Sequence, residues 1–193
     1  MITEERIIEI LKESEVLLEG HFILTSGKHS SQYMQCARIL QYPWFAEELA
    51  SVIVEKYKDD KIDAVIAPAV GGIVIGYEIA RQLKVNNYFT EREDGKMTLR
   101  RGFKIKKGER VLVAEDVVTT GGSVKEVIEL VKEQGGEVVG TCALVDRSMG
   151  KADFGTKFVS AYKANVVAYE VDDCPLCKEG KLEAYKPGSR SLK

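Results

Sequence analysis

Arg110-Val-Leu-Val-Ala-Glu-Asp-Val-Val-Thr-Thr-Gly-Gly-Ser123 is an apolar run that ends in two acids and passes through hydroxyls and glycines into a helical pattern. Val111 to Ala114 reads as a strand buried on both faces. Gly121 and Gly122 allow a tight turn and close approach of the backbone to a ligand, and a helix opening at Ser123 leaves its first N–H groups unpaired. With the hydroxyls of Thr119, Thr120 and Ser123, these groups make an anion nest suited to a monophosphate. Glu115 and Asp116 stand at the carboxyl end of the strand, where open α/β sheets bind ligands. Two carboxylates beside a phosphate would repel it unless they meet hydroxyls or a divalent cation, and a sugar phosphate with free ribose hydroxyls meets that condition. The same residue types also cap ordinary helices; their density directly after an apolar strand favours a binding loop. The segment has no Walker lysine and no G-x-G-x-x-G spacing, which counts against both common nucleotide motifs.

Outward from this stretch the pattern is regular. Upstream, strand Ala64 to Ala67, turn Pro68 to Gly72, helix Ile73 to Leu83 and strand Asn87 to Thr90 make a βαβ unit. Downstream, helix Ser123 to Gln134, stopped by Gly135-Gly136, and strand Val138 to Val145 complete a second unit. Apolar strands alternating with helices require a largely parallel sheet covered on both faces, so the expected core is a doubly wound α/β sheet. Nearer the N-terminus, Thr3 to Glu15 sets Ile7, Ile8 and Leu11 at helical spacing, and a helix opening with Pro43 carries Phe45, Leu49, Val52 and Ile53 inward. Between them Phe22 to Thr25 is strand-like, while Ser26-Gly27-Lys28-His29-Ser30-Ser31 is too polar and too rich in turn formers for a core element. The expected organisation is one domain over 1–193: an N-terminal region 1–42, an α/β core 43–171 and an irregular C-terminal appendage 172–193.

With 193 residues and 45% hydrophobic content, the chain suits a single compact domain. Its 28 Lys+Arg and 30 Asp+Glu leave a net charge of -2, so the overall balance points to neither nucleic acid nor membrane as partner, and any anion site must be local. Met1 to Glu15 is acidic and amphipathic, unlike a signal or transit peptide, and no segment is long and apolar enough to span a bilayer. A cytoplasmic protein is expected. Cys36, Cys142, Cys174 and Cys177 are too sparse for a disulfide scaffold, and free thiols are the expected state.

Val113 to Ser123 resembles the signature of the type I phosphoribosyltransferases, two acids followed by a Thr/Gly-rich phosphate loop. The resemblance implies that fold, with a small hood and a flexible loop around the sheet. It implies that phosphoribosyl pyrophosphate (PRPP) lies along Glu115, Asp116, Val117, Val118, Thr119, Thr120, Gly121, Gly122 and Ser123. In that reading the two acids meet the ribose hydroxyls, residues 119–123 hold the 5-phosphate, and Mg²⁺ is bound through PRPP with no certain protein ligand.

Over nearly its whole length the chain is similar to one branch, the orotate phosphoribosyltransferases. Glu19 to Tyr33 is similar to that branch's hood, and Ser26, Gly27, Tyr33 and Met34 suit a planar base carrying a carboxylate; the plain alternative is a surface hairpin with satisfied His21 and His29. Asp146-Arg147 matches the place where the branch sets an arginine against orotate, whose carboxylate fits a guanidinium fork; a surface Asp-Arg pair is the alternative. Thr119 matches a residue placed against the base. Arg92, Lys96, Arg100, Arg101, Lys104, Lys106 and Lys107, around Gly95 and Gly102, resemble the loop that closes over pyrophosphate, with Arg92 and Lys96 the candidate catalytic cations. A solvated hairpin is the alternative there. The branch forms homodimers, so a homodimer is implied. A transferase for neutral purine bases and a non-catalytic PRPP-sensing regulator are the rival readings; Arg147 and the hood speak against the first, the balanced charge against the second.

The sequence departs from better-known orotate enzymes at Thr25 in place of a lysine, at Val70-Gly71 in place of a Tyr-Lys pair, and at Glu93-Asp94-Gly95-Lys96 in place of a Lys/His-rich loop. Gly71-Gly72 is expected to offer backbone amides to the pyrophosphate instead. Cys174-Pro-Leu-Cys177 has the spacing of half a zinc site. The sequence shows no second pair nearby, so reduced thiols in a tail turn are expected, with a site completed by other residues as the alternative.

Overall fold

The computed structural model describes residues 2–24, 26–164 and 167–187. Eight strands are present among them: β1 (Leu17–Ile23), β2 (His29–Met34), β3 (Ala64–Pro68), β4 (Asn86–Glu93), β5 (Lys96–Leu99), β6 (Arg110–Val118), β7 (Glu137–Asp146) and β8 (Phe158–Lys163). The helices are α1 (Glu4–Glu13), α2 (Pro43–Tyr57), α3 (Gly71–Leu83), α4 (Gly122–Glu133) and the short α5 (Pro175–Glu179), with a 3₁₀ turn at Cys36–Gln41. Six strands form one sheet in the order β5-β4-β3-β6-β7-β8, and β1 and β2 form a separate hairpin.

Strands β4, β3, β6, β7 and β8 run parallel, and β5 adds an antiparallel edge. The central strands bury both faces, and alternate side chains sort between two cores. Val65, Ala67, Leu112 and Ala114 pack with Leu49, Ile53, Ile75 and Ile79 of α2 and α3. Ile66, Val111 and Val113 pack with Val124, Val127, Ile128 and Val131 of α4 on the other face. From β3 the chain winds through α3 to β4 on one side, and from β6 through α4 to β7 on the other. The direction reverses between β3 and β6, so a crevice opens where their carboxyl ends diverge.

The structure extends or corrects several sequence expectations. Strand β6 runs on to Val118, because its pairing with β7 continues through Val118↔Asp146 after pairing with β3 has stopped at Ile66↔Val113. Helix α3 starts at Gly71 rather than Ile73. His29, Ser30 and Ser31 lie in strand β2, with His29 and Ser30 buried by hydrogen bonds to the C-terminal segment. Thr25 lies outside the described residues. Strand β8 was unforeseen; it is an edge strand with a single neighbour, half-exposed, so it lacks the apolar run that marked the others.

Tyr57 ties this framework together. Its ring is fully buried at the end of α2, and its hydroxyl lies 2.8 Å from the carbonyl of Thr141 and 2.9 Å from that of Lys157. Gly140 makes the approach possible, since a Cβ there would lie 2.5 Å from the hydroxyl oxygen. Replacing Tyr57 with Phe leaves the packing and removes the donor, which should cost about 1–2 kcal/mol. Urea denaturation should show a lower midpoint with an unchanged slope.

Candidate active site

At the end of β6 the chain must place two neighbouring carboxylates in the crevice, and it does so with short internal bonds. Asp116 N–H donates to Glu115 Oε1 at 3.1 Å, and Val117 N–H donates to Asp116 Oδ1 at 2.9 Å. These bonds take up backbone donors at the point where β3 no longer pairs with β6. Both acids lean on the first turn of α3. A Cβ on Gly71 would lie 2.3 Å from Asp116 Oδ2, and one on Gly72 would lie 3.1 Å from Glu115 Oε1. The glycine pair therefore makes room for the acids, and the positive end of α3 favours their charge. Even so, burial first and then the charge and hydrogen bond of Asp116 push the Glu115 carboxyl well above the usual range. Among the described residues neither carboxylate forms an ion pair with Lys or Arg, so the pair is set to receive hydroxyls or a cation from a ligand.

The loop that follows forms a small polar concavity lined by Glu115 and residues 117–124. Gly121 caps α4 in the left-handed conformation, with φ of 76°, and contributes no side chain to the first-turn N–H groups, which remain directed at the concavity. A Cβ on Gly121 would lie 2.7 Å from the Phe154 ring beneath it. Thr119 and Thr120 are exposed, while Val118 is buried in the α4 core and its carbonyl accepts from Arg147 N–H at 2.8 Å. Val117 and Val118 thus carry the backbone of the loop.

That last bond brings the end of β7 to the same crevice. Asp146 does not pair with Arg147; it accepts from Ser148 N–H at 2.8 Å. The Arg147 guanidinium lies 6.0 Å from the centre of the Tyr33 ring and enters no ion pair among the described residues. Cys36, just past β2, feels both Asp116 and Arg147, and burial pushes its thiol up to about 12. The structure therefore brings together Glu115, Asp116, the 119–123 loop, Arg147 and Tyr33. Ser26 and Gly27 sit apart from this group, in the exposed turn of the hood hairpin. Gly27 is six residues from Tyr33, about 20 Å of extended chain.

The segment of the expected closing loop takes the form of a β-hairpin. Asp94 and Gly95, with φ of 49° and 83°, form a two-residue turn that joins β4 to β5. Met97 and Leu99 pack on the α4 core, and Phe103 stacks on Tyr88 and Phe89 with ring centres 5.6 and 5.2 Å away. The three arginines are paired: Arg92 makes a two-pronged bond to Glu126, Arg101 pairs with Glu91, and Arg100 with Glu93. Glu126 lies one turn into α4, so the hairpin flanks the concavity of residues 117–124. Lys96 is exposed at the start of β5 and enters no ion pair among the described residues. The aspartate-glycine pair between two alternating runs was the overlooked signal for this hairpin. The expectation for the tail changes too, since the fold sets His21 and His29 against Cys174 and Cys177.

Residues 36–174 match the family model described as the phosphoribosyl transferase domain. The orotate phosphoribosyltransferase of Caldanaerobacter subterraneus is 58% identical over 98% of this chain and 99% of its own length. The crystal structure of orotate phosphoribosyltransferase from Aeropyrum pernix is 29% identical, with a TM-score of 0.72 over 81% of this chain and 93% of that one. The Leishmania donovani UMP synthase structure, 28% identical with a TM-score of 0.69, is matched over 82% of this chain, which spans 36% of that longer one. The chain belongs to the phosphoribosyltransferase family and, within it, to the orotate phosphoribosyltransferases.

The raised carboxyl of Glu115 has a consequence for stability. Its folded pKa lies above the ordinary 4.5, so its contribution is most favourable below pH 4.5 and is lost as the pH rises through the folded value. Glu115→Gln removes that burden. The variant should melt at the same temperature as the parent near pH 4 and at a progressively higher one toward pH 9, measured by calorimetry across that range.

Proposed function

We propose that this chain transfers the phosphoribosyl group of PRPP to orotate, forming orotidine 5′-monophosphate and pyrophosphate at the crevice between β3 and β6. The observation that carries this reading is the convergence of the acid pair, the glycine-capped loop and Arg147 facing Tyr33. The 5-phosphate lies in the concavity of residues 119–123 and takes the first-turn N–H groups of α4. Glu115 and Asp116 accept the ribose hydroxyls, which fixes the anomeric carbon in the crevice. The guanidinium of Arg147 meets the orotate carboxylate with Tyr33 as a flat apolar wall, and Thr119 borders the base. Orotate nitrogen is then aligned with the anomeric carbon, and positioning supplies much of the rate.

Pyrophosphate leaves toward the first turn of α3, where helix N–H groups suit an anion, and Lys96 of the β4–β5 hairpin is the cation available to it. Arg92 is the second candidate, and it reaches a ligand only by releasing Glu126. Mg²⁺ fits this site: the acid pair offers hard oxygen atoms and has no cationic partner among the described residues. When bound with PRPP it supplies charge neutralisation to the departing pyrophosphate. A homodimer is part of the proposal. It is supported by the exposed row Val70, Val74 and Tyr77 at helical spacing on the face of α3 away from the sheet. No helix among the described residues is long and apolar enough to cross a membrane.

Orotate absorbance should fall in the presence of PRPP and Mg²⁺, while adenine, hypoxanthine and uracil are left unchanged. Turnover of one of those bases in place of orotate would sink the assignment. Arg147→Ala should raise the KM for orotate about 30-fold, from loss of a charge-assisted bond of roughly 2 kcal/mol, with the KM for PRPP nearly unaffected. In steady-state assays of Lys96→Ala, the loss should fall mainly on kcat, since that cation meets charge that develops during the reaction.

A further inference from the structure

Four potential metal ligands, separated by as many as 156 residues along the chain, converge where the hood hairpin meets the C-terminal segment. His21 Nε2 lies 3.5 Å from Cys174 Sγ, 3.6 Å from Cys177 Sγ and 2.9 Å from His29 Nδ1, and Cys177 Sγ lies 3.2 Å from His29 Nδ1. All four ligand atoms fall within 4.8 Å of one another, and His21, His29 and Cys174 are buried. We propose that these residues form a structural zinc site that fastens the C-terminal segment to the hood.

The convergence of two ring nitrogens and two thiols on one point suits a cation at the centre. Nδ1 of His21 lies 2.9 Å from the carbonyl of Leu182, which only accepts, so Nδ1 carries the proton and Nε2 presents one lone pair. Three groups face that single lone pair. One of them can donate to it, and Cys177 Sγ and His29 Nδ1, 3.2 Å apart, can pair only with each other or with His21. A metal ion accepts from all four at once. With bonds of about 2.3 Å to sulfur and 2.0 Å to nitrogen, a regular tetrahedron has sulfur-to-nitrogen edges of about 3.5 Å, which the observed spacings approach. A set of two sulfurs and two nitrogens in that geometry selects zinc. The bond from His21 to Leu182 is the outer contact that fixes a ligand's tautomer and orientation.

Two local devices assemble the set. Residues 174–180 make one tight turn, with Lys178 N–H bonded to the Cys174 carbonyl at 3.2 Å and Gly180 ending the turn at a φ of 66°. That turn sets both thiols on one side. In the hairpin, the register shifts by one residue between Glu19↔Gln32 and Phe22↔Ser30. Beyond the shift Ile23 pairs with His29, so His21 shares a face with His29. Without it, His21 would face the opposite side. The backbones of both histidines are also bonded to the tail, His29 to Tyr169 at 2.9 and 2.8 Å and His21 to Tyr185 at 3.0 Å.

The test is the metal content of the full-length protein, expressed with zinc, purified without metal-affinity chromatography and dialysed against metal-free buffer. Mass spectrometry should find about one zinc per chain, and X-ray absorption should show a shell of two sulfurs and two nitrogens. Cys177→Ser, at an exposed position, should reduce the content at least tenfold, whereas Cys142→Ala, in the sheet core, should retain it. A strong zinc chelator should lower the melting temperature of the parent and leave that of Cys177→Ser unchanged. A parent with little zinc, equal zinc in parent and Cys177→Ser, or a Cys174–Cys177 disulfide in the purified protein would each overturn the proposal. Metal content and orotate turnover are separate readouts, so either result can fail without the other.

Discussion

Much of the architecture follows from holding two adjacent carboxylates at the end of a buried strand without a permanent cation beside them. The cost of burying Glu115 next to Asp116 is offset by three features that the fold supplies together: the acids' own backbone N–H groups, the first turn of α3 and contact with the crevice. Only glycine at Gly71 lets α3 start close enough, and only a reversal of winding between β3 and β6 leaves a gap there. Burial and the neighbouring Asp116 still raise the Glu115 carboxyl above its ordinary range.

Cations in the site divide by how they are held. Arg147 stands without an acidic partner among the described residues and is placed by backbone bonding to Val118, so its fork is available to a planar anion. The arginines of the β4–β5 hairpin are instead engaged with Glu91, Glu93 and Glu126. Exposed pairs of this kind contribute little to stability. The Arg92–Glu126 pair ties the hairpin to α4, and the other two lie within the hairpin segment itself.

The α/β core was legible because its strands, β3 and β6 above all, are buried on both faces and so carry unbroken apolar runs, while Gly135-Gly136 and Pro43 mark helix boundaries chemically. The loop of residues 115–123 was legible for a different reason: its chemistry is concentrated in consecutive residues. Strand β8 was not, since an edge strand needs only one neighbour and shows weak alternation. The β4–β5 hairpin was masked by its charges, although Asp94-Gly95 gave its turn away. Only the Cys174 and Cys177 half of the cluster could be read from spacing, because the placing of His21 and His29 beside it depends on a one-residue register shift at the far end of the chain.

The tail's bonds to the hood also set an order of assembly. During synthesis all six strands of the main sheet, through Lys163, leave the ribosome before the tail does, so the sheet and its helices can pack first. The hood hairpin is made among the earliest residues, yet Ile23 and His29 find their edge partners only when Tyr185 and Tyr169 emerge. The β1–β2 hairpin is therefore begun first and completed last, and a chain cut short before the tail would carry a finished 115–123 loop beside an unfinished hairpin.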